Sequence, residues 1–216
     1  MRRQFDEQLE ELAREMISMG AMIESAIDRA SDALMRHDVR LAKSVMDNDR
    51  LIDQKERAIE SMCLRLLLMQ QPIARDLRKV SSALKMITDM ERVGDQAADI
   101  CEIVVLLETG AAQKTPMHIT QMARATIHMV TDSLDAFVRR DEALAHAVIQ
   151  EDDEVDALFS ATRTDLIERI RAERESAEEA IDLMMIAKYL ERIGDHATNI
   201  AEWVVYSITG VHRSEQ

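Results

Sequence analysis

Apolar residues recur every three or four positions through most of the chain, a spacing that places them on one side of an α-helix. The pattern is clearest near the start, where it comprises Leu9, Leu12, Met16, Met19, Ile23, Ala26, Ala30 and Leu34. It predicts a first helix from about Phe5 to Arg36, with one apolar face available for packing in a bundle.

Helix-capping and helix-breaking residues divide the first half into three helices. Asp38 is placed to cap a second helix that runs to about Gln70, and Pro72 marks the break before a third helix that ends near Glu108. The segment Thr109–Pro116 concentrates small, polar and helix-breaking residues, so we expect it to connect the two halves.

The second half repeats this organisation. A fourth helix is predicted to end at about Arg140, a fifth to span about Asp141 to Ala172, and a sixth to span about Ser176 to Ile208. We therefore predict two antiparallel three-helix units, residues 1–110 and 111–216, related by pseudo-symmetry.

Composition supports the all-α fold class. The 216 residues are 47% hydrophobic, which is enough for a core, and they include only five Gly, two Pro and 3% aromatic residues. Strand-rich folds need more turn residues than this, whereas the abundant Ala, Leu, Met, Glu and Arg favour helix.

Charge and cysteine content limit the ligands and the cellular compartment that we expect for this protein. The net charge of −14, with no dense basic segment, argues against nucleic-acid binding. No export signal is visible, and no apolar stretch is long enough to span a bilayer, so we expect a cytoplasmic protein whose membrane association is peripheral. Cys63 and Cys101 lie in apolar helical stretches, which favours reduced core thiols over a disulfide.

One segment of the third helix returns in the sixth. Glu91–Ile100 reads ERVGDQAADI, and Glu191–Ile200, 100 positions later, reads ERIGDHATNI. The repetition continues through Glu102 and Glu202, so the chain reads as two copies of one unit.

The repeated segment carries a row of acids. At about 100° per residue, Glu91, Asp95, Asp99 and Glu102 fall within a stripe roughly 80° wide on one helix face. Like charges four residues apart repel by a few tenths of a kcal/mol per pair, so the row needs a cation, either a metal ion or an arginine.

Two further acid pairs precede these rows. Asp49 and Asp53 lie one turn apart on the second helix, and Asp152 and Asp156 lie one turn apart on the fifth. In an antiparallel bundle the middle of each of these helices lies beside the acid row of the next, so the carboxylates are expected to face each other.

Converging carboxylates would suit Mg²⁺, Ca²⁺, Mn²⁺ or iron better than structural zinc. The alternative is that Arg92, Arg192 and neighbouring cations pair with the acids, or that the acids face water. Spacing alone leaves both interpretations open.

Gly94 and Gly194 occupy mid-helix positions where glycine costs about 1 kcal/mol relative to alanine, which predicts a close approach of helices there. His196, next to Asp195, is expected to point off the acid face and to serve in packing or at the surface.

Familiar catalytic motifs are missing. The chain has no Walker-type phosphate loop, no Gly-x-Ser-x-Gly, no Cys-x-x-Cys and no Glu-x-x-His. We therefore predict that it is not an enzyme. The alternatives are a carboxylate-ligated metal enzyme acting on a phosphate ester or on oxygen, and a helical scaffold without metal.

The sequences ERVGD and ERIGDHATNIAE, together with QPIARDLR at residues 71–78, identify the chain as similar to the PhoU family of bacterial phosphate-signalling regulators. The resemblance covers essentially the whole chain and implies two pseudo-symmetric three-helix bundles. It also implies that the acid-x-x-x-acid motifs bind metal clusters, of iron, manganese, magnesium or another hard metal. The implied ligands are Asp49, Asp53, Glu91, Asp95 and Asp99 in one cluster, and Asp152, Asp156, Glu191, Asp195 and Asn199 in the other. Asn199 replaces the acid found at Asp99, which implies a weaker second cluster.

The function implied by the resemblance is negative regulation of phosphate uptake and of the phosphate-starvation response. The implied partners are the ATPase subunit of the phosphate ABC importer and a membrane sensor histidine kinase, through which the protein would reach the membrane. Methionine-rich and apolar helix faces make a homodimer the expected oligomer.

Overall fold

The computed structural model describes residues 2–107, 116–173 and 176–211, with side chains described from residue 4. Six helices account for almost all of these residues: α1 Arg2–Arg36, α2 Val39–Gln70, α3 Ala74–Leu107, α4 Met117–Arg139, α5 Glu142–Ala172 and α6 Ala177–Thr209. The predicted all-α class is confirmed, and the helix ends lie close to the predicted ones. The predicted connecting segment falls on residues 108–115, outside the described residues, except for Pro116, which directly precedes α4.

The turn between the first two helices is built in the same way in each half. His37 and Arg140 adopt left-handed backbone conformations, with φ of 52° and 55°. Each is followed by a capping aspartate: Asp38 accepts hydrogen bonds of 3.0 Å from the Arg40 and Leu41 N–H groups, and Asp141 accepts one of 3.0 Å from Leu144. The predicted cap at Asp38 is confirmed, and both turns reverse the chain so that neighbouring helices run antiparallel.

The helices form two three-helix bundles that share one core. The first bundle packs α1, α2 and α3 together, the second packs α4, α5 and α6, and the bundles meet where α3 lies against α6 and α1 against α4. Most of the predicted α1 stripe is buried, including Met16, Met19 and Ile23, and it joins a continuous apolar cluster that extends through both halves. None of the described helices is long and apolar enough to cross a bilayer.

The two cysteines are free and completely buried. Burial raises the pKa of the thiols of Cys63 and Cys101 to about 12, because the apolar surroundings disfavour the thiolate. The prediction of reduced core thiols is thus confirmed.

We predict that neither Cys63 nor Cys101 reacts with N-ethylmaleimide in the native protein, since both thiols are inaccessible and protonated. Mass spectrometry of the native protein is expected to show no adduct over the time in which the guanidinium-unfolded chain takes up two. Rapid labelling of either cysteine without unfolding would contradict this burial.

Candidate metal site

Three carboxylates from two helices meet in the first bundle. Asp49 and Asp53 lie one turn apart on α2, and Asp95 lies opposite them on α3. One oxygen of each residue lies within 4.8 Å of the others. The structure therefore brings the acid pair of α2 to the acid row of α3.

The surroundings of Asp49 disfavour its ionised form. Burial, followed by repulsion from Asp95 and Asp53, raises the pKa of the Asp49 carboxyl to about 6. Its Oδ1 atom is buried and receives no hydrogen bond from the described part of the chain. An ionised oxygen in this position is costly unless a proton or a cation joins it.

Arg92 partly neutralises this group of acids. It donates a hydrogen bond of 2.9 Å to Asp95, and its Nε lies 3.5 Å from Glu91. The pKa of Glu91 is nevertheless raised, because burial and repulsion from Asp95 outweigh the nearby guanidinium. Arg92 therefore pairs with the acid row, as one of the two interpretations of the sequence predicts. The pairing is incomplete, and the site keeps an excess of negative charge.

The acid surface extends to a residue that the sequence analysis missed. Burial and repulsion from Glu60 raise the pKa of Glu56, which also interacts with Asp53. Glu56 follows Asp53 by three positions and Asp49 by seven, so all three share one face of α2. This helical spacing from Asp53 and Asp49 is the feature of the sequence that identifies Glu56 as a neighbour of the cluster.

The second bundle places the corresponding acids across α5 and α6, but among the described residues no three of them bring carboxylate oxygens within 4.8 Å of one another. Burial raises the pKa of Asp152, and repulsion from Asp195 and Asp156 raises it further. The pKa of Asp195 is also raised, by burial and by Glu191, while Lys188 acts in the opposite direction. The corresponding acids therefore face each other in both halves.

The second cluster differs from the first in the cation that contacts it and in one residue at its edge. The Lys188 ammonium contacts the Glu191 carboxylate directly and lies 5.5 Å from the centre of the Phe159 ring. Phe159 occupies the position that Glu56 holds in the first half, three residues after the second aspartate. An apolar ring and an ammonium ion thus replace an acid, which lowers the negative charge of this cluster.

The fifth member of each predicted set lies towards the seam between the bundles. Burial and repulsion from Glu102 raise the pKa of Asp99, and Arg192 of α6 lowers it. Asn199 donates a hydrogen bond of 3.0 Å to Asp89 of α3, and the His196 Nδ1 atom lies 2.9 Å from the same carboxylate. The Asn199 amide nitrogen and the His196 ring therefore join the two halves.

Another cluster of ionisable groups lies between α4 and α5. The His128 Nδ1 atom lies 3.1 Å from Glu151, and its Nε2 atom lies 3.8 Å from Asp132. The hydrogen bond that the His128 ring donates to the Glu151 carboxylate raises the pKa of His128. Because each ring nitrogen faces its own carboxylate, the cluster is an exposed pair of ion pairs that links the helices.

The mid-helix glycines lie beside the acid clusters. A Cβ atom added to Gly94 would lie 2.9 Å from Cδ1 of Ile52 and 3.4 Å from Oδ1 of Asp49. A Cβ atom added to Gly194 would lie 3.4 Å from Oδ1 of Asp152 and 3.5 Å from Val155. The predicted close approach is confirmed at Gly94, whereas at Gly194 a Cβ atom would meet only ordinary van der Waals contacts.

Fold and site together define a class of protein: a duplicated three-helix bundle with a carboxylate cluster between the second and third helices of each repeat. The family model of the PhoU domain matches residues 16–104 and again residues 119–204. The chain belongs to the PhoU family.

Its relatives align over nearly the whole chain. It is 36% identical over 210 residues to the "Phosphate-specific transport system accessory protein PhoU homolog" of Clostridium acetobutylicum, covering 97% of this chain and 96% of that protein. It is 33% identical over 209 residues to the accessory protein PhoU of Escherichia coli, covering 96% and 86%.

Two crystal structures have the same fold. PhoU from Pseudomonas aeruginosa superposes with a TM-score of 0.93 at 34% identity, covering 96% of this chain and 100% of that one. The phosphate transport system regulatory protein PhoU from Streptococcus pneumoniae superposes with a TM-score of 0.89 at 31% identity, covering 96% and 98%.

The two glycines provide a matched pair of substitutions. We predict that Gly194→Ala stabilises the protein by up to about 1 kcal/mol, because alanine is the better helix former and its Cβ meets only ordinary contacts. Gly94→Ala is expected to be clearly less favourable, since its Cβ would push against the buried Ile52. Denaturant unfolding of both variants measures the difference. Equal stabilisation by the two substitutions would contradict the tighter packing at Gly94.

Proposed function

We propose that this chain is an accessory protein of a phosphate-specific transport system, which restrains phosphate uptake and the phosphate-starvation response when phosphate is plentiful. The observation that carries the proposal is the match of both repeats to the PhoU domain. Further support comes from relatives that align over almost the full chain and that are accessory proteins of phosphate-specific transport systems.

The proposed mode of action is contact. The partners would be the ATPase subunit of the phosphate ABC importer and a sensor histidine kinase, with the protein acting in the cytoplasm as an adaptor and not as an enzyme. Long helices with extensive exposed faces suit such a role, and the free, buried thiols suit a reducing compartment. A homodimer stays a prediction.

We further propose that the acid clusters bind hard metal ions such as iron, manganese or magnesium. Asp49, Asp53 and Asp95 would hold the ion in the first bundle, with Glu91 and Asp99 beside them. The support is the donor set, which is entirely carboxylate, and the buried Asp49 oxygen that lacks a partner among the described residues. A bound cation would supply the positive charge that Arg92 alone does not.

In the second bundle the proposed ligands are Asp152, Asp156, Glu191 and Asp195, while the Asn199 amide nitrogen is already bonded to Asp89. Lys188 competes with a metal for Glu191. We therefore expect the first cluster to bind a cation more tightly than the second.

The metal proposal predicts opposite effects of one variant on metal content and on stability. Replacing Asp49, Asp53 and Asp95 by asparagine is expected to abolish metal binding at the first cluster, and to raise the stability of the metal-free protein by about 1 kcal/mol because the repulsion is removed. Inductively coupled plasma mass spectrometry and melting curves with and without chelator measure both quantities.

The matched control is Asp47→Asn, which changes an exposed acid on the same helix. It is expected to leave metal content and melting temperature unchanged. Equal metal content in the triple variant and the wild type, or a wild type that takes up none of the three metals, would overturn the metal proposal.

The regulatory proposal is tested in cells. Deletion of the gene is expected to switch on phosphate-starvation genes in phosphate-rich medium, and the wild-type gene is expected to silence them again. Asp95→Asn combined with Asp195→Asn is expected to leave them switched on, because both acid clusters lose a central carboxylate. Reporter expression and immunoblotting for protein level give the result.

Two results would separate the parts of the proposal. A deletion without effect on these genes would sink the regulatory function. Full silencing by the double variant at wild-type protein level would show that the acid clusters are not needed for it.

A further inference from the structure

The outer edge between α4 and α5 carries a histidine and two carboxylates in one group. His128 and Asp132 lie one turn apart on α4, and Glu151 lies opposite them on α5. One ring nitrogen of His128 and one oxygen of each carboxylate lie within 4.8 Å of one another. We call these three residues the histidine cluster.

The histidine cluster has more negative than positive charge. Within the ranges that the structure describes, no lysine or arginine nitrogen lies within 4 Å of the Asp132 or Glu151 carboxylate. The two carboxylates are only 23% and 36% exposed, so water screens their repulsion incompletely. One imidazole faces both of them, and it is positive only while it is protonated. The cluster therefore keeps an excess of negative charge in either state of the ring.

The donor atoms of this cluster suit a transition-metal ion. Imidazole nitrogen together with carboxylate oxygen is a common ligand set for zinc, and a site with three protein ligands leaves a further position for water. Ligands of a tetrahedral zinc ion lie roughly 3.4 Å apart, because each is about 2.1 Å from the metal. The distances of 3.1 Å from Nδ1 to Glu151 and 3.8 Å from Nε2 to Asp132 lie on either side of that value. Small side-chain rotations therefore suffice to place one ring nitrogen and both carboxylates around an ion.

Comparison of the two repeats shows that the fold does not require these donors. The helix caps Asp38 and Asp141 align the repeats with an offset of 103 positions. With that offset, the positions of His128, Asp132 and Glu151 correspond to Ser25, Arg29 and Asn48. The first repeat packs the same pair of helices with a guanidinium in place of a carboxylate, and Arg29 donates a hydrogen bond of 2.7 Å to Ser44. The joint presence of the three donors is thus a property of the second repeat alone.

The histidine cluster is separate from the acid cluster between α5 and α6. Glu151 and Asp152 are neighbours in sequence, but they point about 100° apart around α5. Glu151 faces the His128 ring of α4, whereas Asp152 lies beside Gly194 of α6. The body of α5 therefore lies between the two groups of donors.

We propose that His128, Asp132 and Glu151 form a binding site for a divalent transition-metal ion such as zinc, which links α4 to α5 at the outer edge of the second bundle. One ring nitrogen and one oxygen of each carboxylate bind the ion, and water completes its coordination. The ligating ring nitrogen gives up its proton to solvent when the ion enters. This site is additional to the carboxylate clusters, and it does not depend on the proposed regulatory function.

The first test follows the histidine ring signals of the full-length protein by nuclear magnetic resonance while zinc is added. The ring signals of His128 are expected to shift and to saturate, because an imidazole nitrogen ligates the ion. His146 serves as the internal control in the same spectrum. It is similarly exposed and lies 3.8 Å from a single carboxylate, Glu142 of its own helix. Its signals are expected to stay in place.

The second test compares zinc affinity among variants by titration calorimetry. His128→Gln and Asp132→Asn are each expected to weaken zinc binding at this site about tenfold or more, whereas the control His146→Gln is expected to change it less than about twofold. The His128 side chain is 60% exposed, so its replacement leaves the core packing intact. Zinc is expected to raise the melting temperature of the wild type more than that of His128→Gln, because an ion that binds only the folded chain stabilises it.

Two results would overturn the inference. His128 ring signals that do not respond to zinc would show that the ring is not a ligand, and equal zinc affinity and content in the wild type and His128→Gln would show the same. Asp195→Asn removes a carboxylate of the neighbouring acid cluster and is expected to leave the His128 response unchanged. Loss of the response in that variant would assign the ion to the acid cluster and would also overturn the inference.

Discussion

The close approach of α3 to α2 at Gly94 is the constraint on which the acid site depends. Without a Cβ at this position, Ile52 packs against the α3 backbone and Asp49 reaches the acidic face of α3. Burying an isoleucine contributes about 1.5–3 kcal/mol, whereas burial and the neighbouring acids raise the pKa of Asp49 to about 6, which means that its charge is disfavoured there. Packing of Ile52 together with the shared core therefore holds the acids in place against their repulsion.

Duplication reproduced the packing more faithfully than the electrostatics. Gly194 repeats the arrangement with more space, and Val155 and Asp152 stand in the places of Ile52 and Asp49. The charges around it have changed, since Lys188 contacts Glu191 and its ammonium lies over the ring of Phe159. A helix-packing geometry can thus be retained while the charge of the site it frames is adjusted by a few substitutions at its rim.

Helix periodicity made the fold predictable, since each buried face repeats every three or four residues and Asp38 marks a helix start by its own chemistry. The facing of Asp49 and Asp95 followed from antiparallel topology. The hydrogen bonds from Asn199 and His196 to Asp89 did not, because they depend on how one bundle is rotated against the other. Long-range rotation is set by the packing of many side chains, which leaves no short signal in the sequence.

The net charge of the chain conceals a strong separation of charge along the molecule. The acid clusters lie near the middles of α2, α3, α5 and α6, whereas Arg75, Arg78 and Arg140 lie at one end, where the dipole of α3 adds to their charge. Opposite charges on a single chain usually pair when they come close. Long rigid helices keep Arg75, Arg78 and Arg140 away from the acid clusters, which have Arg92 and Arg192 beside them instead. These two arginines neutralise the carboxylates only in part, because the pKa values of Glu91 and Asp99 stay raised. The middle of each bundle therefore retains an excess of negative charge.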